Sequence, residues 1–204
     1  MNDHAIDSGQ RGPAEHAIRD QIVAAAGEHF SRYGYGKTTV SDLAAAIGFS
    51  KAYIYKFFDS KRAIGEAISA DCLTSIIRHV EAVIADAKTP TEQIRRMFSS
   101  IVADSVRLFF HDRKLYDIAA YACTEKWQPA VNYEEQLHRL VERIVAEGRR
   151  TGEFERKTAL DETSRAIAGA MWAFMSPVTL QYNLDAVPQL PNEIVAMVLR
   201  SLAP

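Results

Sequence analysis

Apolar residues recur at intervals of three and four along most of the chain, a spacing that is typical of amphipathic helices. The first apolar stripe predicts a helix over residues 13–33, which Gly34-Tyr35-Gly36 ends. No segment shows the sustained alternation of a half-buried strand. The sequence therefore predicts an all-α protein of about nine helices. The others are predicted at residues 39–48, 51–57, 60–87, 91–111, 113–124, 129–151, 158–183 and 191–203.

Proline and polar residues divide this helical pattern. Pro177 lies inside a strongly apolar segment, and because proline has no backbone N–H to donate, it should kink or divide the helix there. Residues 1–12 are polar and lack periodicity, which predicts a disordered tail. Residues 13–62 are then expected to form a small helical domain, and residues 63–204 a larger one.

Two short helices around a glycine turn carry the most specific pattern in the chain. Thr39 can cap the first helix, with Asp42 reaching back as in a capping box, and Ser50 can cap the second. Capping alone would account for Thr39. A helix-turn-helix needs a small residue, a turn glycine and apolar residues that fix the crossing angle, and it places its second helix in the DNA major groove. The residues that fill these positions are Ala44, Gly48, Val40, Leu43, Ile47, Ile54 and Phe57.

Composition and charge fit a soluble, cytoplasmic DNA-binding protein. Hydrophobic residues make up 48% of the chain and charged residues 25%. No apolar run approaches the ~20 residues of a membrane span, and the N-terminus lacks the apolar core of a signal peptide. Cys72 and Cys123 lie within helical patterns, so we expect small buried thiols and no disulfide. Residues 11–62 hold eight Lys or Arg against five Asp or Glu, whereas residues 63–204 hold sixteen against nineteen.

Residues 17–64 carry a series of short pieces that occur together in one family. They are Ile22-Val23-Ala24-Ala25-Ala26, Phe30, Gly34, Thr38-Thr39-Val40, Leu43-Ala44, Gly48-Phe49-Ser50-Lys51, Ile54-Tyr55 and Phe58-Asp59-Ser60-Lys61. This segment resembles the DNA-binding domain of the TetR family of bacterial transcriptional regulators. The resemblance implies a homodimer that binds a palindromic operator and releases it when a small molecule binds the C-terminal domain. Tyr53 and Phe57 depart from the family pattern, in which a small residue or Thr and a His or Tyr are usual.

Phosphate contacts are expected to set affinity for DNA, and base contacts its sequence preference. Lys51 and Lys61 stand in first turns of helices, where a cation opposes the helix dipole, so a bound phosphate explains them better than local stability does. Tyr55 should donate to a phosphate, with packing on the first helix as the alternative, and Ala52 and Tyr53 are placed for base edges. The predicted DNA contacts are Lys37, Thr38, Thr39, Ser50, Lys51, Ala52, Tyr53, Tyr55, Lys56 and Lys61.

Large apolar and aromatic residues are frequent in residues 66–204. At helical spacing such residues are core by default, but a helical bundle can also enclose an apolar cavity with a few polar groups. We therefore expect a small hydrophobic ligand in this domain. The predicted ligand-binding residues are Met97, Ile101, Asp104, Phe109, Tyr116, Trp127, Trp172 and Met175.

Small residues stand among large ones in the last two predicted helices. Because Gly and Ala allow helices to approach closely, these helices are expected to form a four-helix dimer interface, with packing inside one chain as the alternative. The predicted interface residues are Ala166, Gly169, Ala170, Ala173, Ile194, Met197 and Val198. A ligand that moves the fourth helix would change the spacing of the two recognition helices, which must be about 34–36 Å.

Other functions have weaker support. Glu135-x-x-His138 resembles half of a di-iron motif, but the second motif is absent and a solvated helix face is the simpler interpretation. The sequence contains no HExxH, P-loop or Gly-x-Ser-x-Gly motif, so we expect no enzyme, cofactor or metal. A DNA-binding regulator controlled by a partner protein remains an alternative. A repressor is favoured, although the position of the operator decides between repression and activation.

Overall fold

The structure is a computed structural model that describes residues 11–111 and 115–204, and this part of the chain is helical and without strands, which confirms the predicted fold class. A π-helical turn, Arg107–His111, extends α5, and a short 3-10 helix, Leu184–Ala186, precedes α10. Most of the predicted tail lies outside the described residues. The α-helices are α1 (Arg11–Tyr33), α2 (Val40–Ile47), α3 (Lys51–Ile54), α4 (Lys61–Ala85), α5 (Pro90–Val106), α6 (Tyr116–Thr124), α7 (Gln128–Thr151), α8 (Leu160–Met175), α9 (Pro177–Leu180) and α10 (Gln189–Ser201).

Pro177 divides the helix predicted over residues 158–183. The backbone of Ser176 is extended, with φ −89° and ψ 131°, and Pro177 opens α9. Proline suits the first turn of a helix because the N–H it lacks would have no helical partner there. The described part therefore has ten α-helices where the sequence predicts about nine.

The helices pack around two hydrophobic cores. The N-terminal core is built from α1, α2, α3 and the start of α4, and it includes Ile118 of α6 and Trp127 at the start of α7. The C-terminal core is built from the rest of α4 together with α5, α7, α8 and α10. Since α4 contributes Ile64 to the first core and Val80 to the second, it connects them physically. Within the described ranges, every helix is too short or too polar to cross a membrane.

Candidate DNA interface and ligand cavity

Local hydrogen bonds fix the ends of α2 and α3. The Thr39 hydroxyl accepts the Asp42 N–H at 3.2 Å, and the Asp42 carboxylate accepts the Thr39 N–H at 2.8 Å, which confirms the capping box. These bonds to Thr39 lower the pKa of Asp42. Gly48 ends α2 in the left-handed region at φ +78°, where glycine avoids a steric penalty. Ser50 caps α3, since its hydroxyl accepts the Tyr53 N–H at 3.1 Å.

The outer side of α3 and its C-terminal turn presents polar side chains to solvent. Lys51, Ala52, Tyr55 and Lys56 are exposed, and we call these four residues the α3 surface. The Lys51 ammonium lies 5.9 Å from the centroid of the Tyr55 ring. Ile54 is fully buried on the opposite side and anchors the helix to the N-terminal core. The predicted contacts Lys37 and Thr39 are also exposed, before α2.

Tyr53 stands in a row of three aromatic rings. Its ring centroid lies 5.0 Å from that of Phe49 and 5.4 Å from that of Phe57, both nearly perpendicular to it. Such edge-to-face pairs add to the stabilisation that burial gives. The two departures from the family pattern, Tyr53 and Phe57, are therefore in contact with each other. The sequence indicated neither this pairing nor the contribution of Phe49.

Thr38 is not available to DNA, so its predicted contact is wrong. The residue is only 3% exposed. Its hydroxyl donates to the Gly34 carbonyl at 2.8 Å, and its N–H donates to the Tyr35 carbonyl at 3.3 Å. With both donors bonded inside the protein, Thr38 stabilises the turn between α1 and α2.

Lys61 has a partner within the protein that the sequence argument did not foresee. Its ammonium donates to the carbonyls of Tyr35 and Thr38, at 2.9 and 3.0 Å. The same ammonium lies 4.4 Å from the centroid of the Tyr35 ring. Local structure therefore accounts for a cation at the start of α4, which corrects the expectation that local stability does not explain Lys61. A phosphate contact by Lys61 stays a prediction.

α6 contacts the turn between α1 and α2 through a hydrogen bond and aromatic packing. The Asp117 carboxylate accepts the Tyr35 N–H at 3.2 Å. The Tyr35 ring packs 4.9 Å from that of Tyr121 and 5.2 Å from that of Trp127, centroid to centroid. Burial raises the pKa of Tyr35 to about 12, with a smaller effect of the Glu125 charge. These contacts make the turn, α6 and the start of α7 one packed unit.

Trp127 belongs to this unit and not to a ligand site. Its side chain is fully buried in the N-terminal core, and its indole N–H donates to Glu125 at 2.8 Å. A Cβ on Gly65 would lie 2.8 Å from the Trp127 ring, so α4 passes directly against the indole. The predicted ligand contact of Trp127 is wrong because the ring fills the space between α4 and α6.

An apolar cavity of about 230 Å³ lies between α4, α5, α6, α7 and α8. Five of the predicted ligand-binding residues line it, namely Met97, Ile101, Phe109, Trp172 and Met175. Asp104 and Tyr116 are not part of its wall. The Asp104 carboxylate pairs with the His79 ring at 2.6 Å and with Arg107 at 3.2 Å, while the Tyr116 hydroxyl donates to Gln181 at 2.6 Å. These two polar side chains are engaged with neighbours elsewhere.

The cavity wall also contains polar and thiol groups that sequence reasoning missed. Ser69 Oγ, Tyr133 Oη and His138 Nε2 are buried without a hydrogen-bond partner. The thiols of Cys72 and Cys123 line the same wall, and burial raises the pKa of each to about 11. The only sequence signal for these residues is their helical phase, since each falls on the inward side of its helix.

His138 does not share a functional face with Glu135. Glu135 is exposed and lies 3.5 Å from Arg139, on the outer side of α7. His138 is half-buried and lines the cavity. The interpretation of both residues as one solvated face is therefore wrong for His138. Within the described residues, no group of three His, Cys, Asp or Glu side chains could hold a metal ion.

The predicted dimer face is only partly exposed. Ala166, Gly169 and Met197 face solvent, with Met197 53% exposed, whereas Ala170, Ala173 and Ile194 are half-buried against the C-terminal core. Val198 is only 6% exposed and belongs to that core, so its predicted interface contact is wrong. Adjacent residues on α10 are about 100° apart around the helix axis, so one can be exposed while the next is buried, and the helical stripe alone does not distinguish them. Gly169 also lines the cavity.

Comparison with known proteins gives matches along most of the chain. A profile described as "Bacterial regulatory proteins, tetR family" matches residues 22–68, and one described as "Tetracyclin repressor-like, C-terminal domain" matches residues 90–190. The HTH-type transcriptional repressor DhaR of Mycobacterium sp. (strain GP1) is 21% identical over 192 residues, which cover 92% of this chain and 93% of that protein.

Two solved structures show the same fold. The transcriptional regulator FadR from Bacillus subtilis, in complex with stearoyl-CoA, aligns with a TM-score of 0.66 and 20% identity over 90% of this chain and 98% of that chain. The TetR family transcriptional regulator PfmR from Thermus thermophilus aligns with a TM-score of 0.58 and 22% identity over 91% and 97%. Since the two profiles match in chain order and reach both cores, the chain belongs to the TetR family of bacterial regulatory proteins, whose members are DNA-binding transcription factors and not enzymes.

Proposed function

We propose that this protein is a ligand-responsive repressor that binds a palindromic operator as a homodimer. A small, mainly apolar molecule in the cavity would release the DNA. The observation that carries this proposal is the position of α6, which forms a wall of the cavity and also holds the turn that supports the helix-turn-helix. Displacement of α6 by a ligand would therefore shift the turn between α1 and α2 and change the position of the helix-turn-helix.

The α3 surface supports the DNA-binding half of the proposal. Lys51 and Lys56 are exposed, with the Lys51 ammonium 5.9 Å from the centroid of the exposed Tyr55 ring and the Lys56 ammonium 5.6 Å from that of Tyr53. Cations at this position can bind backbone phosphates, and the tyrosine hydroxyl can donate to a third oxygen. Because Ser50 and Ile54 fix the helix on its other side, the surface keeps its shape before DNA binds.

The two sides of α6 support the link between cavity and DNA. Ile118, Ala122 and Cys123 line the cavity. On the same helix, Asp117 accepts the Tyr35 N–H and Tyr121 packs against the Tyr35 ring. A ligand that fills the cavity contacts this helix, and a shift of the helix would move the turn at Tyr35 or break its bond to Asp117. α4 offers a second route, since it lines the cavity and begins at Lys61.

An exposed apolar face on α8 and α10 supports dimerisation. Trp172 of α8 and Met197 of α10 have 40% and 53% of their surface exposed, and the small residues Ala166 and Gly169 of α8 are exposed as well. Exposed apolar surface of this kind favours the binding of a second copy of the chain. Met197→Glu should convert the dimer to a monomer in sedimentation velocity and abolish operator binding. Ala146→Glu, on the exposed side of α7, is the charge-matched control.

Selection from a pool of random DNA tests the operator. The enriched sequences should be palindromes whose half-site centres lie about one helical turn apart, or a multiple of it. Tyr55→Phe should then weaken binding to every sequence. Tyr53→Phe keeps the ring row and removes only a hydroxyl, so a change in the enriched sequence would assign Tyr53 to base recognition. Enrichment of a non-palindromic sequence would contradict the homodimer.

Release by a ligand is tested with molecules found in a thermal-shift screen, because a true ligand must stabilise the folded protein. Such a molecule should lower operator affinity, measured by fluorescence anisotropy. Asp117→Ala should reduce this effect, whereas Asp117→Asn keeps an acceptor oxygen and should retain it. A molecule that stabilises the protein but leaves operator affinity unchanged would favour control by a partner protein instead.

A further inference from the structure

Three residues that line the mainly apolar cavity each carry a buried polar atom without a hydrogen-bond partner. Ser69 is 5% exposed and Tyr133 8%, and neither hydroxyl has a hydrogen-bond partner. His138 Nε2 is buried and unpartnered in the same wall. A buried polar group without a partner is destabilising, and a ligand that bonds to it removes that cost. A ligand that reaches these atoms would gain orientation from them.

The charge of the wall indicates an uncharged ligand. Burial raises the pKa of Tyr133, so its hydroxyl stays protonated at neutral pH and can donate. Glu134 also lines the cavity, and its carboxylate disfavours a second anion. Among the lining residues that the structure describes, none is Lys or Arg. An anionic group would therefore find no lysine or arginine to pair with among the described lining residues, which is costly.

The volume of the cavity limits the size of the ligand. At about 230 Å³, it is roughly half again as large as an engineered cavity of 150 Å³ that binds benzene. A single substituted ring or a short branched chain has this size. A coenzyme A ester like the stearoyl-CoA bound to FadR from Bacillus subtilis is much larger and carries several phosphates.

We propose that the cavity binds a compact, uncharged, mainly apolar molecule with one oxygen acceptor, such as a ketone, and that the Tyr133 hydroxyl donates to this oxygen. Ser69 and His138 offer further bonds if the ligand has a second polar group. The proposal rests on the proposed ligand response and assigns the chemistry of its site. Tyr133 would decide which molecules of similar size and shape bind.

Calorimetry with three matched probes tests the assignment: acetophenone, ethylbenzene and benzoate. They share one ring, and they differ in carrying a neutral acceptor, no polar group or a carboxylate. Acetophenone should bind at least tenfold more tightly than benzoate. Tyr133→Phe should lower the preference for acetophenone over ethylbenzene by about threefold to tenfold, the worth of one hydrogen bond. Tyr116→Phe, whose hydroxyl bonds to Gln181 outside the cavity wall, should leave that preference unchanged.

The stability of the free protein separates a ligand-binding role from a structural one. If the Tyr133 hydroxyl has no partner in the free protein, Tyr133→Phe should unfold at the same denaturant concentration as wild type or at a higher one. Marked destabilisation, equal binding of benzoate, an unchanged preference in Tyr133→Phe, or no binding of acetophenone would overturn the assignment. Since no DNA is present, these results are independent of the proposed repressor function. Acetophenone that binds through Tyr133 but does not release the operator would contradict only the latter.

Discussion

Polar groups at the DNA-binding end have hydrogen-bond partners within the protein, whereas several polar groups of the cavity wall have none. At the DNA-binding end, the hydroxyls of Thr39, Ser50 and Ser60 each accept a backbone N–H, and the Lys61 ammonium donates to two carbonyls. In the cavity wall, polar atoms of three residues have no partner. Groups that are bonded inside the protein hold one geometry, whereas unbonded buried groups favour a molecule that bonds to them. Under the proposed function, the first region is complete before DNA binds, and the second would be completed by a ligand.

This difference affects how each region tolerates substitution. On the α3 surface, the exposed side chains stand on a helix that is already fixed, so exchange of one of them should leave the fold intact. In the cavity, exchange of an unpartnered polar group should change both the stability of the protein and the ligand that is proposed to bind. α4 belongs to both regions, since Ser60 caps its start and Ser69 lines the cavity further along.

The largest expected effect is in the cavity, on the reactivity of its thiols. Burial raises the pKa of Cys72 and Cys123 to about 11, so at pH 8 each should hold on the order of a hundredfold less thiolate than a free cysteine does. Alkylation by iodoacetamide, followed by mass spectrometry of the two peptides, should be slower than in the urea-unfolded protein by a similar factor. The rate should keep rising above pH 9, and a plateau near pH 8.5 would contradict the apolar surroundings.

At the DNA-binding end, Lys61→Met should lower the free energy of unfolding by about 2 kcal/mol, because hydrogen bonds from a charged donor to two buried carbonyls are lost. Lys56→Met removes a cation from the same region but from the exposed α3 surface, so it should change stability by less than about 0.5 kcal/mol. Urea unfolding at one fixed protein concentration measures both. Equal stability of the two variants would mean that Lys61 has no structural role.

Affinity for DNA should depend on Lys56, whereas stability should depend on Lys61. Lys56→Met should reduce the slope of log affinity against log salt by about one, as expected for one lost phosphate contact. If Lys61→Met also reduced this slope while the variant was fully folded, the result would assign a phosphate contact to Lys61 as well.

A smaller effect is expected from Ser60→Ala. The Ser60 hydroxyl accepts the Ala63 N–H at 3.0 Å and satisfies an amide in the first turn of α4. Loss of such a cap costs about 1 kcal/mol, which urea unfolding resolves. Ser60→Asp keeps an acceptor and should restore most of the stability. Failure of Asp to do so would show that the cap does not hold the start of α4.

The sequence predicted the helix-turn-helix well because local rules act there. Capping by Thr39, the turn at Gly48 and the break at Pro177 each follow from the chemistry of one residue and its neighbours in the chain. The buried state of Thr38 and the two bonds of Lys61 depend on contacts across the turn, which no local pattern contains. The expectation that local stability does not explain Lys61 was wrong for that reason.

The cavity was predicted less well because the packing of helices that are distant in the chain decides which residues line it. Trp127 and Trp172 look alike in the sequence, but one fills the space beside α4 and the other lines the cavity. Met197 and Val198 are adjacent in the chain, but Met197 is exposed and Val198 is buried in the C-terminal core. Tyr133 falls on the same apolar stripe as its core neighbours, and only the missing partner of its hydroxyl distinguishes it.

The smallest expected effect, and the sharpest contrast with Ser60, comes from Ser69→Ala. Ser60 caps α4 and Ser69 lies further along the same helix, and each variant loses one hydroxyl. Because Ser69 Oγ is buried without a partner, its removal relieves a desolvation cost and breaks no bond. Stability should therefore stay the same or rise by up to about 1 kcal/mol, whereas Ser60→Ala lowers it. If Ser69→Ala destabilised the protein as much as Ser60→Ala does, the Ser69 hydroxyl would have a partner in the free protein, and the cavity would resemble the DNA-binding end after all.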